Sequence, residues 1–273
     1  MSEIYTTVAK YIALFLSIIS IITGALELPS EGDRYPHIER EELLLLSAYA
    51  ASQDVATDGT YWYFSGKNIL EKRDNELNIV KLNATAIPDS LSQLGVDHIG
   101  GISCYDGKLY CAMEDSKVWN HCTVGVYDAQ TLEFIESAPL SAEHQLKGAP
   151  WLCVDGERGY IYSTQRDNAP CLVVYDLYTY EFVKTVELSE PIHKIQGGDM
   201  LGDTLYVATN NDNQSVYSAN VLTGEVTLCF DRSLTYGSEG EGLTVLETAD
   251  GAYIHTLDMG PLFINANFRH YSY

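Results

Sequence analysis

A short turn of Asp and Gly recurs through most of this 273-residue chain, at Asp58-Gly59, Asp106-Gly107, Asp155-Gly156, Gly202-Asp203 and Asp250-Gly251. Each turn leads into an aromatic, alternating segment: Tyr61-Trp62-Tyr63-Phe64, Lys108-Leu109-Tyr110, Tyr160-Ile161-Tyr162, Leu205-Tyr206-Val207 and Tyr253-Ile254-His255. Asp-Gly between alternating apolar segments signals a β-hairpin, because glycine accepts the left-handed backbone that tight turns need. A second strand pair follows, with a shared phrase. It reads Val126-Tyr127-Asp128-Ala129-Gln130-Thr131-Leu132-Glu133, then Val174-Tyr175-Asp176-Leu177-Tyr178-Thr179-Tyr180-Glu181, then the degenerate Tyr217-Ser218-Ala219-Asn220-Val221-Leu222-Thr223-Gly224-Glu225. Four short strands per repeat, with repeats stacking to bury a shared core, predict an all-β chain folded as a five-bladed β-propeller. A sixth unit between Lys81 and Val96 has too few residues. The last unit has only Leu262 to Tyr273 after its hairpin, so it lacks a fourth strand. Residues Glu42 to Ala51 are expected to supply that strand, closing the ring and removing the open sheet edge.

The N-terminus follows a different pattern. Lys10 precedes an apolar run over residues 11–28, and Glu27, Glu31 and Asp33 lie at or beyond its far end. The run is long enough to cross a bilayer, and the flanking charges orient it with the body extracytoplasmic. Residues 1–28 are therefore read as a signal peptide or membrane anchor, 29–41 as a linker and 42–273 as the propeller. The best cleavage site, Thr23-Gly24-Ala25, is poorly formed, which favours an uncleaved anchor over a secreted form. A buried helix of a cytosolic chain is the other reading of the same run. No Cys follows the run to carry a lipid.

Composition narrows the partners. A formal net charge of -22 excludes the clustered Lys and Arg that nucleic-acid binding requires. The 46% hydrophobic content excludes disorder. Cys104, Cys111, Cys153 and Cys171 fall inside expected strands and no Cys-x-x-Cys pair exists, so packed thiols are expected and not a disulfide framework or a zinc site.

In a propeller the innermost strand of each blade lines a central channel, and its first residues share one face with the loop between the second and third strands. Aligning the repeats assigns Asp97, His98, Gln196, Glu239 and Glu241 to the starts of inner strands. Glu114, Arg166 and Asp258 fall at the ends of second strands, and Trp151 heads the third inner strand as an apolar platform or a core residue. The glycines among them, as in Glu239-Gly240-Glu241-Gly242, suit strands crowded about an axis. The carboxylates read as an acidic face. Asp97, Glu239 and Glu241 are the candidate ligands for Ca²⁺ or Mg²⁺, since hard oxygen donors suit those ions. Glu239, Glu241, Asp97 and His98 are the candidates for acid–base chemistry. No nucleophile elbow, phosphate loop, dinucleotide fingerprint or zinc-protease helix is present in the sequence.

The Val-Tyr-Asp-x-x-Thr phrase resembles the YVTN-type and quinoprotein-type propellers over nearly all of residues 50–273. The segments His98-Ile99-Gly100-Gly101-Ile102, Gln196-Gly197-Gly198 and Phe268-Arg269-His270-Tyr271 resemble a group of exported microbial propellers. Gly240-Glu241-Gly242-Leu243-Thr244 is similar to a box of the five-bladed plant-type glutaminyl cyclases, without the tryptophans that family uses. These resemblances imply the fold and leave function to the site. Three functions are expected: binding of a small molecule, glycan or peptide on the acidic face by a monomer; metal-assisted hydrolase, lyase or cyclase chemistry at that face; or a protein–protein scaffold.

Overall fold

The computed structural model describes residues 37–44, 46–249 and 251–272; the segment read as signal or anchor lies outside them. Twenty strands form five antiparallel four-stranded sheets. The first blade is β2 (Asp54–Thr57), β3 (Trp62–Gly66), β4 (Ile69–Arg73) and β5 (Ile79–Asn83); the second is β6 (His98–Tyr105), β7 (Lys108–Glu114), β8 (Thr123–Asp128) and β9 (Phe134–Pro139). The third is β10 (Leu152–Asp155), β11 (Tyr160–Ser163), β12 (Ala169–Asp176) and β13 (Phe182–Ile192); the fourth is β14 (Ile195–Leu201), β15 (Thr204–Thr209), β16 (Ser215–Asn220) and β17 (Val226–Asp231). The fifth joins both ends of the described chain: β18 (Glu239–Thr248), β19 (Gly251–Met259) and β20 (Asn265–Ser272), then β1 (His37–Leu44). The inner strands β2, β6, β10, β14 and β18 contact one another in turn and close the ring.

Ring closure is as expected, but its strand is not quite where the apolar pattern put it. Strand β1 pairs antiparallel with β20 from His37↔Tyr271 to Leu44↔Asn265. It thus begins inside the stretch read as linker, while Leu46–Ala50 forms a one-turn helix, α1. The alternating His-Ile-Glu-Arg-Glu-Glu segment lacks the apolar run that marks a core strand, and pairing with β20 overrides that weak local signal. Between β5 and β6 the chain forms a second short helix, α2 (Asp89–Ser92), where a sixth blade was excluded.

Each blade interface holds its own core. Tyr63, Ile99 and Met113 fill the one between the first two blades, and Trp62, Phe64, Leu257 and Phe268 fill the one that closes the ring. There Trp62 and Phe268 meet edge-to-face at 5.0 Å, a geometry favoured by the ring quadrupoles. All six cysteines are free thiols.

The repeated phrase is turn chemistry. Asp128 Oδ1 accepts the backbone N–H groups of Gln130 and Thr131 at 2.9 and 2.7 Å, and Asp176 Oδ1 accepts those of Tyr178 and Thr179. Asn220 Oδ1 does the same for Leu222 and Thr223. The Thr that follows accepts an N–H two residues on, in each of the three turns. A short polar side chain that caps its own turn sets strand register without help from the core.

Candidate functional site at the channel mouth

Two ends of the disc must be distinguished. Inner strands start at the end called here the mouth and finish at the turn end, where the Asp-Gly hairpins lie. A ring of hydrogen bonds runs round the mouth through all five blades. His98 Nε2 meets Gln53 Oε1 at 2.8 Å, linking the second blade to the first. Glu114 Oε2 accepts the Ala149 N–H at 2.9 Å, and Glu114 Oε1 pairs with the Arg166 guanidinium, linking second to third. The Lys194 N–H donates to the Arg166 carbonyl at 3.0 Å, the Gly240 N–H to Asn210 Oδ1 at 3.1 Å, and the Gly242 N–H to the Gln53 carbonyl at 3.0 Å. These close the circuit through the fourth and fifth blades.

Glycine makes this closeness feasible. A Cβ on Gly242 would collide with the Asp54 carboxylate, and one on Gly148 (φ +90°) would collide with Glu114 beside Trp119. Three inner strands also carry a bulge at the equivalent point: between Ile99 and Ile102, between Ile195 and Gly197, and between Gly240 and Leu243. Bulges re-aim side chains next to sites. Gln196 and Glu241 occupy these bulges.

Glu241 is 3% exposed and its carboxyl makes no hydrogen bond or ion pair among the described residues. Burial raises its pKa well above the usual carboxylate range, and the neighbouring Glu239 charge raises it further; Arg232 and Arg166 oppose this only in part. His98 is shifted the other way. Burial, then the charges of Arg166 and Lys67, lower its pKa to about 4, so the ring is neutral at pH 7. Its Nδ1 has no hydrogen-bond partner and lies 3.8 Å from Glu114 Oε1, and Arg166 Nε and Trp119 Nε1 are likewise unpartnered. Burial raises the pKa of Glu114 despite its pairing with Arg166.

Other sequence candidates have different places. Asp97 faces outward: burial acts against its carboxylate, but two bonds from Ser116 outweigh that and hold its pKa below the usual range, with Lys67 3.7 Å away. Asp258 is fully buried between β19 and β20, held by Arg269 at 2.7 Å and Asn267 at 3.0 Å, and so is structural. Trp151 is no platform: it is fully buried and its indole donates to Thr164 Oγ1 at 2.9 Å. Asp199 lies along the channel wall, accepting from Met200, Thr244 and Val245, below the mouth. Asp54, at the axis, accepts from Val55 and Ile102. His255 is paired with His270 inside the fifth blade, Nδ1 to Nδ1 at 2.6 Å. Among the described residues no three His, Cys, Asp or Glu side chains gather as a metal-ligand group.

The two ends divide charge differently. Loops at the mouth carry Lys67, Lys117, Lys147, Arg166, Lys194 and Arg232 against as many acidic loop residues, and the strand carboxylates Glu114, Glu239 and Glu241 add to the acidic side. The turn end is more one-sided: among the described residues Arg158 is the sole basic residue in its strand-connecting loops. The two ends are far apart in the repeat yet share its residue types, so composition could not divide the charge between them.

The sequence singles out neither Tyr236 nor the loop Asn210-Asn211-Asp212-Asn213-Gln214, because Asn and Asp in a loop are ordinary turn formers and Tyr236 is one of 20 tyrosines. Tyr236 is 98% exposed, beside a cleft of about 690 Å³ between the fourth and fifth blades at the mouth.

The architecture is that of a five-bladed β-propeller. No protein-family model and no curated protein matches the chain. Among solved structures it is similar to Kuenenia stuttgartiensis hydrazine synthase, at 16% identity and a TM-score of 0.47 over 78% of this chain and 57% of that one. It is also similar to the computationally designed Ika8 protein, at 12% identity and a TM-score of 0.38 over 78% of this chain and 56% of that one. The chain thus spans a little over half the length of each.

Proposed function

We propose that this chain is an exported β-propeller, anchored or secreted, that binds a small polar ligand at the mouth of its channel. The carrying observation is the set of buried polar atoms left without partners there, His98 Nδ1, Arg166 Nε and Trp119 Nε1, together with the Glu241 side chain, which makes no hydrogen bond or ion pair among the described residues. A buried polar group without a partner costs free energy in the folded chain, and a ligand that supplies the missing bonds recovers it. Strand β1 starts at the turn end, so a tether formed by residues 11–28 would leave the mouth facing away from the membrane.

A second reading rests on the opposed shifts of two groups. A neutral His98 can take a proton and a protonated Glu241 can give one, and both sense the charge of Arg166. Environments that push two pKa values apart divide acid from base, which fits hydrolase, lyase or cyclase chemistry. The metal-assisted form of that reading would draw Ca²⁺ or Mg²⁺ to Asp97, Glu239 and Glu241.

One set of measurements tests all three. The full chain is screened against sugars, short peptides and small acids by ligand-detected NMR. Arg166→Met is expected to abolish binding, whereas Glu241→Gln, a neutral isostere of the protonated acid, is expected to retain it. Turnover by the parent that vanishes in Glu241→Gln assigns acid–base chemistry. A melting temperature unmoved by Ca²⁺, Mg²⁺ or EDTA removes the metal form. Ligand binding indifferent to Arg166→Met overturns the mouth as the site.

A further inference from the structure

We propose that the cleft between the fourth and fifth blades is a carbohydrate-binding groove, with Tyr236 as its stacking platform. This rests on the reading of the mouth as the binding end and names the ligand class that enters it. The cleft is formed by the β15–β16 loop and the loop from Arg232 to Ser238, and its volume of about 690 Å³ falls within the range of small-ligand pockets. Lys194, Asn210, Asp212, Tyr236, Ser238 and Glu239 are among its walls.

Some of its polar groups already serve the fold. Asn211 accepts from Asn213 and Ser215, Asn210 Oδ1 accepts from Gly240, and Gln214 Oε1 accepts from Leu234. Others have no hydrogen-bond or ionic partner among the described residues: the Lys194 ammonium, the Asp212 and Glu239 carboxylates and the Tyr236 hydroxyl. Deeper in the loop, Thr235 Oγ1 and Ser238 Oγ are buried without partners, on residues 5% and 8% exposed. The groove therefore presents donors and acceptors side by side, along with an aromatic ring left bare to solvent.

A sugar matches this pattern. Its hydroxyls both donate and accept, and its C–H face is apolar enough to lie on a phenol ring. A phosphorylated ligand would want more cations than the lone Lys194. An apolar ligand would want apolar walls, and Leu234 is the one aliphatic side chain in the lining. A peptide added as a strand would want an accessible sheet edge; β15 and β16 are paired on both sides, and the unpaired edge of β18 lies in the ring of inner strands, in contact with β14 and β2. Glu239 ends the groove two residues before Glu241 in the same strand, so a chain of sugar units lying in the groove reaches the mouth.

The test titrates the full chain with gluco-, manno-, galacto- and N-acetylglucosamine di- to tetrasaccharides, by saturation-transfer NMR and calorimetry. One class is expected to bind, and Tyr236→Ala is expected to weaken it by about tenfold or more. The melting temperature of that variant should match the parent, since its ring contacts solvent. Asp212→Asn, which keeps the shape of the loop, is expected to weaken the same sugar. No binding by any oligosaccharide, or binding indifferent to Tyr236→Ala, overturns the groove. A peptide or acid whose binding depends on Arg166 but not on Tyr236 also overturns it, and leaves the mouth reading intact. A screen in which no ligand depends on either residue defeats both.

Discussion

The two ends of the propeller use the same residue types for opposite purposes. At the turn end Asp58, Asp74, Asp128 and Asp176 each accept backbone N–H groups of their own turns. Asp58 is exposed and the other three are half-buried, and they make the hairpins. At the mouth Glu114 and Glu241 are buried and His98 is half-buried, and the Glu241 carboxyl and the buried His98 Nδ1 retain unfilled hydrogen-bonding capacity. The contrast teaches that charge alone does not mark a site. What marks it is a buried polar group that the fold leaves unsatisfied.

Two arginines offer the sharpest way to break this comparison. Arg166 pairs with Glu114, which is fully buried, whereas Arg158 at the turn end pairs with Asp155 and the half-exposed Asp203. Arg166→Met leaves a buried carboxylate with only the Ala149 N–H and should cost about 3 kcal/mol in urea unfolding. Arg158→Met should cost less, about 1 kcal/mol, because Asp155, though buried, keeps the backbone N–H of residue 158 and Asp203 is solvated. Equal losses would show that the ends do not differ in the way argued here.

The next largest effect is on pH. The unfolded His98 binds a proton below about pH 6.5, but the folded one does so only at about pH 4. Stability present above pH 6.5 is therefore lost as pH falls through that window, by roughly 3 kcal/mol from this group. Urea midpoints at pH 7, 5.5 and 4 should show a shallower loss for His98→Gln than for the parent. Parallel curves would remove His98 from the account. Glu241 acts in the opposite sense. Its folded pKa is raised, so the parent loses stability as pH rises above the ordinary carboxylate range, and Glu241→Gln should melt above the parent at pH 8.

The smallest effect belongs to the turn end. Asp128→Ala removes two hydrogen bonds in an exposed turn and should cost about 1 kcal/mol with ligand binding unchanged. A change in binding affinity in this variant would mean that the two ends communicate.

Much of the architecture was legible because the repeat states it locally. Asp-Gly turns, alternating aromatics and Asp-x-x-Thr phrases each act over a few residues, so they read directly as strands and hairpins. Gly240-Glu241-Gly242 stood out for its glutamates, the glycines reading as axis packing, and the bulge there sets the place of Glu241. The closing strand was harder to place, since β1 takes its conformation from β20 more than 200 residues away in sequence, and Asn265 reaches across to Glu42 at 2.7 Å. Trp151 and Asp258 were assigned to the right strand ends, but strand position does not say whether a side chain meets solvent or a neighbouring blade. Tyr236 carried no signal at all, because exposure is a property of what packs around a residue.

The sequence by itself determined the number of blades and the chemistry of the turns, since both depend on periodicity and on side chains that bond to their own backbone. Only the tertiary structure decided which carboxylates are satisfied, how charge is divided between the ends and which aromatic is left bare. Those outcomes depend on residues from different blades meeting at one place, and burial there sets both the cost of an unpaired polar group and the direction in which its pKa moves.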